Sequence, residues 1–254
     1  MIERSVDAVT FDFWDTLVHT NGSDTRAARA AAVTAALGHL AADLDPESLE
    51  VAFEHAFVAF NEAWGANRQF TAADAGAYVI DRLGLDLDAV ARARVVDAFV
   101  NGAAGLEMAL TPHVEETLVA LKEREIGLAI ICDVGLTPSP VLRGYLAAHG
   151  VLDLFDHWSF SDEVGHYKPA RQIFEHALAG LGGVAPGRAA HVGDLRRTDI
   201  AGARAMGMTA IRYRGANDDL DRPRPGPTGE GPELPEGDHV ISDHAELLAV
   251  LGLA

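Results

Sequence analysis

Hydrophobic positions along the chain follow two different rhythms. Ala8-Val9-Thr10-Phe11 is a short β-favouring run, continued by Phe13 and Leu17 around the carboxylates Asp12 and Asp15. From about residue 20 to residue 108 the spacing turns helical. An Ala-rich stretch runs from Thr25 to about Leu40, after the breaker Asn21-Gly22. A second helix is marked by Asp45 as its cap, Pro46 in its first position, and Leu49, Phe53, Phe57, Phe60 and Trp64 at helical intervals. Those aromatics are read as core residues. Thr71–Leu83 and Leu87–Val100, divided by Gly84, complete an all-helical block in which no strand is predicted.

From Thr111 onward, strands and helices alternate. A helix to Glu125 precedes the apolar run Ile126–Cys132, whose continuity marks a strand buried on both faces. A helix follows over Ser139–His149, then a strand at Trp158–Ser161, a loop from Asp162 to Pro169 and a helix over Arg171–Leu181. Next come a strand at Ala189–Val192, a polar loop from Gly193 to Asp199, a helix over Ile200–Met206 and a strand at Thr209–Tyr213. Residues 215–237 are rich in Pro, Gly and acids and read as a solvated loop, before an edge strand His239–Ile241 and a closing helix Ala245–Leu251. The alternation predicts an α/β fold, a parallel sheet with helices on both faces, built from residues 1–18 and 109–254. Residues 19–108 are then an inserted helical domain, expected at the carboxyl edge of the sheet as a lid over the site.

Composition narrows the partners. The 254 residues carry 38 acidic and 20 basic side chains, a net charge of −18 with no basic run. Such a body repels nucleic acid and anionic membrane surfaces, while a few converging cations can still hold a small anion. One cysteine, Cys132, excludes an intramolecular disulfide framework and fits a reducing compartment. With no leader-like segment and no apolar run of membrane length, a soluble, cytoplasmic protein is expected.

Four positions fall at predicted carboxyl ends of strands: Asp12, Cys132-Asp133, Lys168, and the pair Asp194 and Asp199. An acidic residue at the end of a buried strand is costly unless it is paired or used. A nucleophilic carboxylate, a lysine and two further carboxylates able to hold Mg²⁺ suit an anionic, oxygen-rich small molecule. Carboxylate attack on phosphorus would give an acyl-phosphate intermediate.

In these residues the chain resembles the haloacid dehalogenase-like (HAD) superfamily. Asp12-Phe13-Trp14-Asp15-Thr16 is similar to its Asp-x-Asp-x-Thr motif, Ile130-Ile131-Cys132 to its second motif, Lys168-Pro169 to its third, and Gly193-Asp194-Leu195-Arg196-Arg197-Thr198-Asp199 to its fourth. The resemblance implies a HAD-like Rossmannoid core with a C1-type helical cap, Asp12 as nucleophile, Lys168, Thr16 and Cys132 around it, and Mg²⁺ held by Asp12, the backbone carbonyl of Trp14, Asp194 and Asp199. Asp133, His166, Arg196 and the Trp14 side chain are the residues expected to meet substrate. Two positions depart from the pattern. Trp14 stands where phosphatases of the family carry an acid/base Asp, and Cys132 where they carry Ser or Thr. An indole N–H has no acid or base function near neutral pH. Asp15, His19, His166 and His191 are the nearby titratable groups, with His191 read as a packing residue. The function expected is Mg²⁺-dependent hydrolysis of a small phosphorylated metabolite. The alternatives are a 2-haloacid dehalogenase-like reaction, whose halide leaves without protonation, and a catalytically silent binding protein.

Overall fold

The computed structural model describes residues 6–19, 22–218 and 234–254. Strand β1 (Ala8–Phe11) is buried throughout and leads through a tight turn to the two-residue strand β2 (Val18–His19). Four helices follow: α1 (Gly22–Leu37), α2 (Pro46–Gly65), α3 (Ala72–Arg82) and α4 (Ala89–Asn101). Local chemistry sets their starts. Asp45 accepts the Glu47 N–H ahead of Pro46, Thr71 and Asp74 form a capping box, and Asp88 accepts the Ala91 N–H. Strand β3 (Ala109–Leu110) then pairs antiparallel with β2.

The remaining elements are α5 (Val114–Glu123), β4 (Gly127–Cys132), α6 (Ser139–Ala148), β5 (His157–Phe160), α7 (Ser161–Val164), α8 (Arg171–Gly180), β6 (Ala189–Gly193), α9 (Ala201–Met206), β7 (Thr209–Tyr213), β8 (His239–Ile241) and α10 (Leu247–Val250). Six strands form a parallel sheet in the order β5-β4-β1-β6-β7-β8. The chain runs outward from β1 through β4 to β5, then returns to β6 on the other side of β1. That reversal places a topological switch point at the carboxyl ends of β1, β4 and β6, where such sheets bind ligands. No helix among the described residues is long and apolar enough to cross a membrane.

The chain divides into two compact units, one spanning Met1–Thr20, Met108–Asp133 and Leu146–Ala254, the other Asn21–Glu107 and Val134–Tyr145. In the first, Ala8, Ala129 and Ile131 of the sheet pack with Ile173, Phe174, Ala177 and Leu178 of α8 and with Ala203 and Met206 of α9. In the second, Val33 and Leu37, Phe53 and Ala56, Val79 and Ile80, and Val95 and Phe99 bring the four helices together. The Phe53 and Phe99 rings stack with centroids 5.3 Å apart. The stretch 134–145, read from sequence as part of the core, falls with the helices. Leu136 packs on their core, Thr137 accepts a hydrogen bond from Arg29, and the Tyr145 hydroxyl donates to the Ala103 carbonyl.

Several details depart from the sequence reading. Phe57, grouped there with the core aromatics, is 49% exposed, whereas Phe53 and Phe60 are buried. The β2–β3 ribbon is too short to leave a periodic signal. The segment read as a loop from Asp162 opens with α7, a single turn ended by Gly165 at a φ of 80°. The loop after β6 contains a wide helical turn at Arg196–Ile200 running into α9. Around the Pro- and Gly-rich stretch, whose residues 219–233 lie outside those described, carboxylates pair with a buried cation. Arg212 is 2% exposed and donates to Asp218 at 2.7 Å and Glu236 at 2.6 Å.

Candidate active site

Asp12 follows directly on β1, and its N–H donates to the Val192 carbonyl of β6 at 2.8 Å. The chain then turns sharply. The N–H groups of Leu17 and Val18 both donate to the Phe13 carbonyl, and Asp15 takes a φ of 55°, a region Asp tolerates better than most residues. Two outside donors fix this turn: the Thr111 hydroxyl and His244 Nε2 lie 2.5 Å and 2.8 Å from the Thr16 carbonyl. Asp15 Oδ1 is 2.9 Å from His19 Nδ1.

Lys168 enters from the loop after α7, with its backbone N–H donating to Asp133 Oδ1 at 2.8 Å. Its ammonium donates to Asp12 Oδ1 at 2.5 Å and to Asp199 Oδ1 at 2.6 Å. Asp199 is fully buried, and both of its oxygens are engaged. Oδ1 also meets His191 Nε2 at 3.0 Å, while Oδ2 accepts the Leu195 N–H at 3.0 Å and the Thr198 hydroxyl at 3.3 Å. A side chain at Gly193 would run into the Asp199 carboxyl, so only glycine lets that carboxylate reach the lysine.

His191, taken from sequence for a packing residue, is completely buried but belongs to this network. Burial lowers its pKa, against the pull of Asp199, and keeps the ring neutral. With one N–H to place, the acceptor-only carboxylate requires it on Nε2, and Nδ1 then accepts from the Thr10 hydroxyl at 2.8 Å. The signal available in the sequence was a histidine inside a buried strand, a position that demands polar partners.

The charges in the cluster depend on one another. Burial raises Asp12, Lys168 lowers it and Asp199 raises it again, leaving its pKa at about 7. For Asp199, burial is outweighed by Lys168 and His191, and its carboxyl lies well below the ordinary range. Lys168 is pushed well above its usual value because Asp12, Asp199 and Asp133 together overcome burial. Asp12, Asp194 and Asp199 can each bring one carboxylate oxygen within 4.8 Å of the other two. An all-oxygen, buried, anionic donor set fits a hard divalent cation such as Mg²⁺.

The other predicted residues are placed as follows. Trp14 is half-buried, its ring edge-on to Phe13 with centroids 5.0 Å apart. Thr16 is fully buried. Cys132 is also fully buried, and burial together with Asp12 pushes its thiol well up, away from thiolate reactivity. Arg196 is 5% exposed and lies 3.7 Å from Glu236. His166 is half-buried and takes no part in the hydrogen bonds joining Asp12, Lys168, Asp199 and His191.

Sheet topology and the acid–lysine cluster at its carboxyl edge define a Rossmann-like enzyme core. The chain belongs to the haloacid dehalogenase-like hydrolases, whose family pattern matches residues 6–207. It is 36% identical over 107 residues to a ribulose-1,5-bisphosphate 5-phosphatase from Halopiger xanaduensis, covering 42% of this chain and 43% of that one. It is 35% identical over 117 residues to an (S)-2-haloacid dehalogenase from Pseudomonas sp. strain YL, covering 46% of each. The chain thus spans less than half the length of these curated relatives. Across 97% of this chain and 98% of the other, the fold is similar to a HAD phosphatase from Thermococcus onnurineus, with a TM-score of 0.65 and 22% identity.

Proposed function

We propose that the protein is a Mg²⁺-dependent phosphatase of a small phosphorylated metabolite, with Asp12 as nucleophile. The observation that carries this reading is the group of three carboxylates able to converge within 4.8 Å, two of which, Asp12 and Asp199, are bridged by a buried lysine. A reaction that needs no metal has little use for a further buried carboxylate, Asp194, beside the lysine-paired Asp12 and Asp199. Asp12, Asp194 and the Trp14 carbonyl would hold the cation. Asp199, with both oxygens already engaged, acts chiefly by fixing Lys168. When bound, Mg²⁺ supplies positive charge to the phosphoryl oxygens and keeps Asp12 ionised.

Lys168 occupies Asp12 Oδ1, so Oδ2 is the attacking oxygen. It forms a bond to phosphorus while the ester P–O bond breaks and its electron pair leaves with the alcohol oxygen. Lys168 neutralises charge on the phosphoryl group as the bonds exchange. Water then attacks the aspartyl-phosphate, releasing phosphate and restoring Asp12. With Trp14 beside the nucleophile, no acid stands at the usual position to protonate the leaving oxygen. Substrates with good leaving groups are therefore favoured.

That same Trp14 supports a second reading, hydrolysis of a carbon–halogen bond, since halide departs without a proton. One assay separates the two. An aryl phosphate hydrolysed with Mg²⁺, but not after chelation and not by Asp12→Asn, supports the phosphatase. Halide released from 2-haloacids without metal, and abolished by the same substitution, overturns it.

A further inference from the structure

The helical unit contains a buried cation that pairs with no anion among the described residues. Arg29 of α1 is 5% exposed, and its guanidinium makes one hydrogen bond among the described residues, from Nη2 to the Thr137 hydroxyl oxygen at 2.5 Å. Its Nε–H is buried with no acceptor among the described residues. The Phe99 ring lies 5.7 Å from the guanidinium carbon. No carboxylate pairs with it among the described residues, although exposed arginines of the same unit have them: Arg26 with Glu54 and Arg92 with Asp81. Burial lowers Arg29 to about 10, which still leaves it charged at neutral pH. Thr137 is 4% exposed, and its oxygen accepts from Arg29 while its own proton has no acceptor among the described residues.

Buried arginine is rare unless paired, because removing the charge from water costs far more than one ring face or one neutral hydroxyl returns. A planar fork with open N–H groups beside a hydroxyl with an open proton is the complement of a carboxylate or phosphate, which takes two parallel N–H donors and a third from the side. We propose that Arg29 and Thr137 form an anion site in the helical unit that takes a carboxylate or phosphate group of a small molecule. The site is argued from that unit alone and stands or falls separately from the chemistry proposed for Asp12.

The test reads the unpartnered donor directly. In protein labelled with ¹⁵N-arginine and kept free of metal by EDTA, the Nε–H signal of Arg29 is identified by its loss in Arg29→Lys. It is followed during titration with malonate and, separately, inorganic phosphate, using chloride at equal ionic strength as control. A saturable downfield shift caused by either probe but not by chloride is expected, with affinity roughly tenfold weaker in Thr137→Val, the usual scale for one hydrogen bond to a charged group. If Arg29→Lys does not fold, the signal that Thr137→Val perturbs identifies Arg29 instead. A signal that none of the probes moves, or that chloride moves equally, overturns the proposal. Once binding is seen, competition between the probe and substrate in turnover would assign the anion to the substrate itself, and binding without competition to a separate effector; each outcome presupposes the site.

Discussion

His244 offers a quantitative test of how the turn that follows Asp12 is held. Its ring is fully buried, stacked on Tyr213 with centroids 4.4 Å apart, and donates Nε2–H to the Thr16 carbonyl, leaving Nδ1 without a partner among the described residues. Protonation would put a second N–H where no described residue accepts it. Burial accordingly lowers the pKa to about 4, against the opposing influences of Thr16 and Asp243. The unfolded chain takes up this proton near pH 6.5 and the folded one only near pH 4. The contribution to stability is therefore complete above the unfolded value and is lost as pH falls through the interval between the two. At about pH 4.5 the loss amounts to about 2.5 kcal/mol, from two pKa units at roughly 1.4 kcal/mol each less partial protonation of the folded state. Wild type and His244→Gln are compared by urea unfolding at neutral pH and at about pH 4.5. Gln cannot titrate but can still donate to Thr16, so its fixed cost cancels and the gap between the proteins should narrow by that amount on acidification. A gap unchanged across the interval would refute the argument, because His244 would then not be a neutral donor in the folded state.

Other outcomes follow from the cluster at the sheet edge. Lys168→Met leaves Asp12 and Asp199 buried without their cation and should lower stability by about 3 kcal/mol or more at pH 8, less in acid where the carboxyls protonate, as thermal melts at two pH values would show. His191→Leu removes the donor to Asp199 and should reduce kcat roughly tenfold with little change in KM, whereas His191→Gln, whose amide reaches the same oxygen, should restore most of it. On the phosphatase reading, Trp14→Asp puts an acid beside the leaving group and should raise turnover of alkyl phosphates by about a hundredfold relative to aryl phosphates. Equal rates on both ester types in the unaltered protein would contradict the role assigned to Trp14.

Much of the architecture could be read from local pattern, since β4 is a continuous apolar run and α2 announces itself by Asp45 and Pro46. Motif residues could be placed because each follows a strand, and the parallel sheet brings strand ends to one edge. What escaped reading depends on pairings distant in the chain. Asp199 and Asp194 look alike in sequence, yet only in the fold does Asp199 have every oxygen occupied by Lys168, His191, Leu195 and Thr198. Asp133 was expected to meet substrate, and the fold gives one of its oxygens to the Lys168 backbone. Arg29 was one more arginine on an Ala-rich helix until Thr137, 108 residues away, came beside it. The two-residue strands β2 and β3 are shorter than any period that could reveal them, and the single turn α7 falls in a segment with loop composition.

The anchoring of Thr16 also bears on the order in which the protein is made. The donor from His244 reaches its carbonyl across 228 residues, and Lys168 reaches Asp12 across 156. Because residue 244 is made long after Asp12, the turn that follows Asp12 has one of its two outside donors missing until residue 244 has been made and has docked. On the phosphatase reading, activity should therefore appear abruptly once residue 244 has docked instead of growing with chain length.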